Sequence, residues 1–309
     1  MLSNKVWAFV VGAGVVIAAL GGIAGAEVAP ERVEELFGMD NLVAWCIVPF
    51  DGEARGPWER AEMLDRLGFT AMAYDWRDEH LPTFGEELEA LETHDIALTG
   101  VWAPARLDGP METIMENLER HGAAPELWVM IAEPPGEDDA EKVRAAADQL
   151  RPVVEEARGR GMNVGLYNHM GWFGQPENQV AIIEELDMPN VGIVYNQHHG
   201  HEHIDRFEEL LALMEPHLYA INLNGMVRDG EEQGRKIVPV GHGERDLELA
   251  LLRAIAESGY SGPIGIIGHT MDDVEERLLD NLEGLAWLKP QLMGESPGER
   301  PTARTYDRD

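Results

Sequence analysis

From Leu42 onward the chain alternates two hydrophobic patterns. Short, nearly continuous apolar runs fit strands buried on both faces, and they cover 42–48, 70–74, 97–102, 127–131, 163–167, 191–195, 219–223 and 264–267. Longer segments with an apolar residue every three or four positions fit helices with one buried stripe. These cover 57–67, 84–93, 111–120, 138–158, 176–186, 203–214, 245–258 and 271–288. In the segment from Arg245 the stripe contains Leu247, Leu251 and Ile255. Gly68, Gly122, Gly161 and Gly259 each stand between a helical pattern and the next strand, where a left-handed residue commonly ends a helix.

Strict alternation of strand and helix predicts a parallel sheet covered by helices. Eight such units in about 250 residues match a (β/α)8 TIM barrel, an α/β fold. An open doubly wound sheet is the alternative, but no Gly-x-Gly-x-x-Gly follows the first strand to support a dinucleotide site. The barrel is expected over residues 27–289. Residues 290–309, rich in Pro, Gly, Arg and Asp, are expected to be a disordered tail.

The first 26 residues carry a different pattern. Lys5 precedes an apolar run over 6–23, followed by Ala24-Gly25-Ala26 and the acidic Glu27. This order predicts a cleaved signal peptide over 1–26, with the mature chain periplasmic or extracellular and not stably inserted in a membrane. An uncleaved anchor is the alternative, because the run approaches the ~20 residues of a spanning helix.

Charge narrows the partners. Lys and Arg number 24 against 57 Asp and Glu, a formal net charge of −33. Nucleic acid is a polyanion gripped through Lys and Arg, so no nucleic-acid partner is expected. The single cysteine, Cys46, permits no intramolecular disulfide and no cysteine-built zinc site. It sits in an apolar run and reads as a small buried hydrophobe.

In a barrel of this kind chemistry belongs at the C-terminal ends of the strands. There the sequence places Tyr74-Asp75-Trp76-Arg77, Trp102, Glu133, Tyr167-Asn168-His169, Asn196-Gln197-His198-His199, Asn222-Leu223-Asn224 and Gly268-His269. Imidazole moves protons near neutral pH, Asn and Asp bond hydroxyls, and Trp faces stack on sugar C–H faces, so a sugar ligand is expected. Each residue also has a plainer role: Trp102, Trp45 and Tyr195 as packing, Asn222 and Asn224 as turn holders, His169 and His199 as satisfied structural imidazoles. The run His198-His199-Gly200-His201-Glu202-His203 is a weak metal signal alone, with His201 and His203 read as a solvated helix start. The segment from Met226 to Gly243 is long enough for a lid. Its Arg228, Arg235 and Lys236 read as an anion contact or as surface charge.

These motifs carry a resemblance. Val240-Gly241-His242-Gly243-Glu244-Arg245-Asp246, then Ser258-Gly259-Tyr260-Ser261-Gly262-Pro263 and Ile264-Gly265-Ile266, resemble the last βα units of xylose-isomerase-like sugar epimerases. Tyr167-Asn168-His169 resembles their Glu-Asn-His, and Asn196 to His199 resembles their Asp-x-x-His. The resemblance spans residues 41–289 and implies a TIM barrel with a divalent metal held by Glu, Asp, His and Glu. The matching positions here are Tyr167, Asn196, Asn222 and Gly268, none of them a carboxylate. A divalent cofactor is therefore left open, while His169 and His199 match the family.

Two functions follow as expectations. One is an exported sugar isomerase or epimerase that moves a proton beside a carbonyl, with His169, His199, Glu133 and Asp75 as acid/base candidates. Trp102, Asn168, Asn196, Asn222, Asn224, His269 and Arg77 would then hold the sugar. The other is a carbohydrate-binding barrel without catalysis or metal.

Overall fold

A computed structural model describes residues 27–169 and 171–306. The expected signal segment over 1–26 lies outside them. In chain order the elements are α1 (Pro30–Phe37), β1 (Leu42–Trp45), α2 (Pro57–Leu67), β2 (Ala71–Tyr74), α3 (Phe84–Thr93), β3 (Ala97–Ala103), α4 (Gly109–His121), β4 (Glu126–Val129), α5 (Asp139–Gly159), β5 (Val164–Tyr167), α6 (Pro176–Leu186), β6 (Val191–Asn196), α7 (Phe207–Met214), β7 (Leu218–Leu223), α8 (Arg245–Glu257), β8 (Ile264–Ile267) and α9 (Val274–Leu292). The strands form a closed parallel barrel in sequence order, and β8 pairs with β1 from Leu42↔Ile264 to Trp45↔Ile267. The alternation of patterns thus becomes a (β/α)8 barrel, and the open sheet is excluded.

Aromatic side chains fill the inside of the barrel. Trp128 crosses it to meet Trp45, with ring centroids 4.6 Å apart. Gly100 on β3 makes room, since a Cβ there would lie 2.6 Å from the Trp128 ring. Tyr167 closes the stack from β5, 5.9 Å from Trp45 and 4.8 Å from Trp102. The barrel has no open bore at this level, so a ligand must sit above these rings, at the C-terminal mouth.

Three regions differ from the sequence expectations. Residues 30–37 form a helix ahead of the first strand, burying Val33, Leu36 and Phe37, and Arg32 Nε donates to Ala256 O at 3.1 Å. The segment 203–214 is not one helix, because a 3-10 stretch, His201–Arg206, precedes α7. The expected tail is docked rather than disordered as far as Tyr306. Arg300 donates to the carbonyls of Gly241 and Gly243, both at 2.8 Å, and Arg304 and Thr305 bind Asp280 on α9. The long segment between β7 and α8 is packed under this strap, with Met226, Val227, Val238 and Val240 buried. Among the described residues no helix is long and apolar enough to cross a membrane.

Candidate active site

The mouth of the barrel holds a cavity of about 640 Å³. Its floor and one wall are the aromatic groups Trp45, Trp102 and Tyr167, with Phe50 and Trp76 from the loops after β1 and β2. Trp76 is fixed across the mouth by donating Nε1–H to Trp102 O at 2.6 Å. His169, His199 and His269 complete the lining, His269 against Phe50 and His169 and His199 beside Tyr167. Their ring centroids make a row with the fully covered His198: 4.5 Å from His169 to His199, 3.8 Å from His199 to His198, and 5.4 Å from His198 to His269.

Crowding imidazoles away from water removes their charge. Burial holds His199 down at about 2 and His269 at about 4, with neighbouring His169 and Arg77 respectively adding to the effect. Burial likewise lowers His169, and pushes His198 far below the usual range. At neutral pH all four are uncharged, each with one N–H to donate and one lone pair to accept. In that state they offer hydrogen bonds to a ligand.

Asp75 behaves the other way. It is 3% exposed at the end of β2, faces the cavity, and accepts one long bond from Val48 N–H at 3.4 Å. Its Oδ2 has no partner among the described residues. Burial therefore raises it to about 6, against the opposing pull of that backbone bond and of Arg77. A carboxyl poised there exchanges protons readily near neutral pH.

Two neighbours complete this side. Cys46 and His269 both adopt left-handed backbone, φ +56° and +29°, and His269 Nδ1 lies 3.4 Å from Cys46 Sγ. Non-glycine residues reach this region at a cost, which concentrates at functional sites. His269 also stacks on Phe50 with centroids 3.9 Å apart, and the Arg77 guanidinium lies 5.2 Å from the Phe50 ring. Burial, then the nearby Asp75, raises the Cys46 thiol, so it stays protonated.

Of the residues expected from sequence, Asp75, Arg77, Trp102, His169, His199 and His269 meet at this cavity. Glu133 does not: it is exposed, away from the cavity, and ion-paired with Lys142. Asn168 clamps β5 to β6, its Nδ2 donating to Asn196 O at 3.1 Å and its Oδ1 accepting from Asn196 N at 2.7 Å. Asn224 holds the segment after β7, donating to Lys236 O at 2.8 Å and accepting from Val238 N at 3.1 Å. Asn196 and Asn222 are fully buried behind the imidazole row, off the cavity. His201 and His203 are not solvated: the ring nitrogens of His201 face Val227 O and Lys236 O, and His203 Nδ1 lies 3.1 Å from the Tyr195 hydroxyl. Arg228 pairs with Asp205 on the surface, and Arg235 donates to the Tyr306 hydroxyl. Trp45, Cys46, Phe50, Trp76 and Tyr167 line the cavity without having been singled out as ligand contacts, although Trp45 and Tyr167 lie on strand ends where the pattern places a site.

The residues present do not fit a divalent metal at the positions the resemblance points to. Tyr167 spends its hydroxyl accepting from Trp45 Nε1 at 3.3 Å. A Cβ at Gly268 would lie 2.7 Å from Cys46 O, so no ligating side chain can stand there. Asn196 and Asn222 offer neutral carboxamides where hard cations take carboxylates. Among the described residues, no three His, Cys, Asp or Glu side chains converge on a point that would hold a metal ion.

Known structures share this architecture at low identity. D-psicose 3-epimerase in the presence of D-fructose aligns with a TM-score of 0.56 and 14% identity, over 82% of this chain and 99% of that one. The apo form of the 3-keto-D-glucoside 4-epimerase YcjR from E. coli aligns with a TM-score of 0.60 and 17% identity, over 81% and 98%. The IolI protein with a bound zinc atom gives 0.60 and 14%, over 82% and 99%. At these identities the likeness is one of fold. No curated protein sequence matches significantly. The model of the xylose isomerase-like TIM barrel family matches residues 62–291, and the chain belongs to that family.

Proposed function

We propose that this barrel binds a sugar or sugar derivative at its aromatic mouth and moves a proton on a carbon beside the sugar's carbonyl, as an isomerase or epimerase does. The observation that carries it is Asp75: a buried carboxyl raised to about 6, one oxygen unpartnered, facing a cavity walled by aromatic rings and neutral imidazoles. Structures of similar fold include a D-psicose 3-epimerase and a 3-keto-D-glucoside 4-epimerase.

In the proposed step the Asp75 carboxylate takes the proton from the carbon, and the C–H electron pair moves into a C=C bond as the carbonyl becomes an enolate. His199 and His169, held neutral, donate N–H bonds to the oxygen where charge builds. An uncharged imidazole suits that role, because a stronger acid would simply lose its proton. Protonation of the same carbon from the opposite face by a solvent water, with Asp75 giving its proton back to solvent, inverts the centre. Return of the proton from Asp75 to the former carbonyl carbon, as the hydroxyl on the first carbon passes its proton to the enolate oxygen and becomes the new carbonyl, isomerises the sugar. Trp45, Trp102 and Phe50 offer flat surfaces to the C–H faces of the ring. The fold family's divalent metal plays no part in this scheme, since the donor set does not fit one.

The test is solvent exchange. Incubation with ketoses and aldoses in D2O should place deuterium beside the carbonyl, read by NMR. Asp75→Asn should abolish the exchange while ligand-induced thermal stabilisation persists, and His169→Gln should slow it. Undiminished exchange in Asp75→Asn removes the acid from the mechanism. The replacement of the family's Glu, Asp, His and Glu ligands by Tyr167, Asn196, Asn222 and Gly268 favours a second reading, a sugar-binding barrel without turnover, which thermal stabilisation with no exchange would establish. An exported location accompanies either reading on the pattern of residues 1–26. N-terminal sequencing of secreted protein should then begin at Glu27.

A further inference from the structure

Behind the imidazole row, at the ends of β6 and β7, polar side chains crowd where the barrel is otherwise apolar. Asn196, Gln197, His198 and Asn222 are all at most 3% exposed. Among the described residues, both carboxamide atoms of Asn196 and of Asn222, both ring nitrogens of His198, and Gln197 Nε2 have no hydrogen-bond partner. The adjoining His199 Nδ1 has none either. A buried polar atom left unbonded forfeits the hydrogen bonds it had in water, so a cluster of them marks a place built for a guest.

The backbone sets their shared direction. Asn196 and Asn222 are register partners, and each stands two residues beyond a side chain of the inner aromatic cluster, Val194 and Ala220. Both therefore point into the barrel. Across from them Gly265 has no side chain, and a Cβ there would come within 1.7 Å of Asn222 Oδ1. His198 packs against His199 with the rings tilted by 43°, and His199 reaches the cavity. The cluster adjoins the mouth through the imidazoles of His199 and, 5.4 Å from His198, of His269.

Its chemistry is neutral and two-sided. Carboxamides donate and accept, and so does an imidazole that burial keeps uncharged. Asn196, Gln197, His198 and Asn222 include no carboxylate for a divalent cation and no charged donor for an anion. A hydroxyl oxygen, which both donates and accepts, matches the set. We propose that the β6–β7 strand ends form an oxygen subsite, in which Asn196, Asn222 and His198 hold neutral hydroxyl-type oxygens from a sugar or from water. As a sugar site it deepens the proposed function, with the ligand passing His199 to place hydroxyls on the carboxamides. As a water site it stands without that function.

Crystals of the mature chain grown with Mn²⁺, with and without D-fructose, test this by diffraction at the manganese edge. The expected result is oxygen density within ~3 Å of the Asn196 and Asn222 carboxamides and no anomalous peak there. Hydroxyls of D-fructose replacing that density identify the sugar as its source. Density unchanged by D-fructose identifies water, which leaves the subsite standing and withdraws it from the proposed sugar site. An anomalous peak overturns the inference, as do carboxamides turned to bond one another with no oxygen between them. A second measurement is thermal: the double variant Asn196→Asp, Asn222→Asp should gain an upward Tm shift with Mn²⁺ that the parent chain lacks. A Mn²⁺ shift in the parent overturns the neutral assignment.

Discussion

Asp75 and Asp280 are both buried aspartates, 3% and 0% exposed, and their surroundings push them in opposite directions. Asp280 on α9 is wrapped by the strap. It accepts from Arg304 N at 2.9 Å, Arg304 Nη1 at 3.0 Å, Thr305 N at 2.8 Å and Thr305 Oγ1 at 2.7 Å. Burial pushes its carboxyl up, but these donors outweigh burial and hold it below the usual range. Asp75 has one long donor and an unbonded oxygen, and burial wins. A buried acid with its valences filled holds the fold together. One left open beside a cavity weakens the fold and is available for chemistry.

The largest expected effect separates the two through activity. Asp75→Asn should cost about 10²–10⁴ in the rate of solvent exchange, the range for loss of a positioned acid or base. Asp280→Asn should leave exchange per folded molecule unchanged. Equal losses at both positions would dissolve the distinction.

Stability should reverse the order. Asp280→Ala leaves Arg304 and Thr305 without their shared acceptor and should cost about 3 kcal/mol, lowering Tm by roughly 5–10 °C in a thermal scan. Asp75→Asn should do no such damage, because it removes a carboxylate the fold holds poorly. A fall in Tm as deep as that of Asp280→Ala would show Asp75 to be structural.

That contrast explains what the sequence could and could not convey. The strand ends named the mouth: Asp75, Trp102, His169, His199 and His269 follow apolar runs whose boundaries are local, and β8 together with α2, α3 and α6 falls where the pattern puts it. Glu133 failed because β4 stops at Val129, and the chain then runs outward to Lys142. The strap failed because its Pro, Gly and Arg composition matches disorder, while its order comes from Asp280 and from carbonyls of the β7–α8 segment, partners far off in sequence. The uncharged state of the histidines was hidden for the same reason, since it arises from four rings of three different loops being buried together.

A smaller effect sharpens the pair through pH. The folded-state pKa of Asp75 is raised from 3.8 to about 6, so its penalty is absent at low pH, grows between these values and is complete above them. At ~1.36 kcal/mol per pKa unit, Asp75→Asn should gain about 1–3 kcal/mol over the parent at pH 8 and nothing at pH 3.5, measured by urea unfolding. Asp280 has the opposite sign: its contribution is full above the ordinary carboxylate range and is lost as pH falls through its lowered pKa. The rate of exchange should rise with pH through about 6 as Asp75 ionises. It should show no further limb near the usual histidine value, because His199 and His269 are already uncharged there.

The smallest effect asks whether the strap speaks to the mouth at all. Arg300 donates to two carbonyls of the turn entering α8, Gly241 and Gly243, and its guanidinium lies 5.0 Å from the Trp287 ring. Gly241 needs its left-handed φ of +81°, and a Cβ there would come within 2.4 Å of Gly284 on α9, so the turn is pressed tightly against that helix. Arg300→Ala should therefore cost only about 1 kcal/mol, since packing holds the turn when the two bonds are lost. Hydrogen exchange should quicken at residues 241–243 and stay unchanged around Asp75. If it quickens at Asp75 as well, the closed and open acids belong to one cooperative unit, and the strap becomes a support of the active mouth rather than of the barrel wall alone.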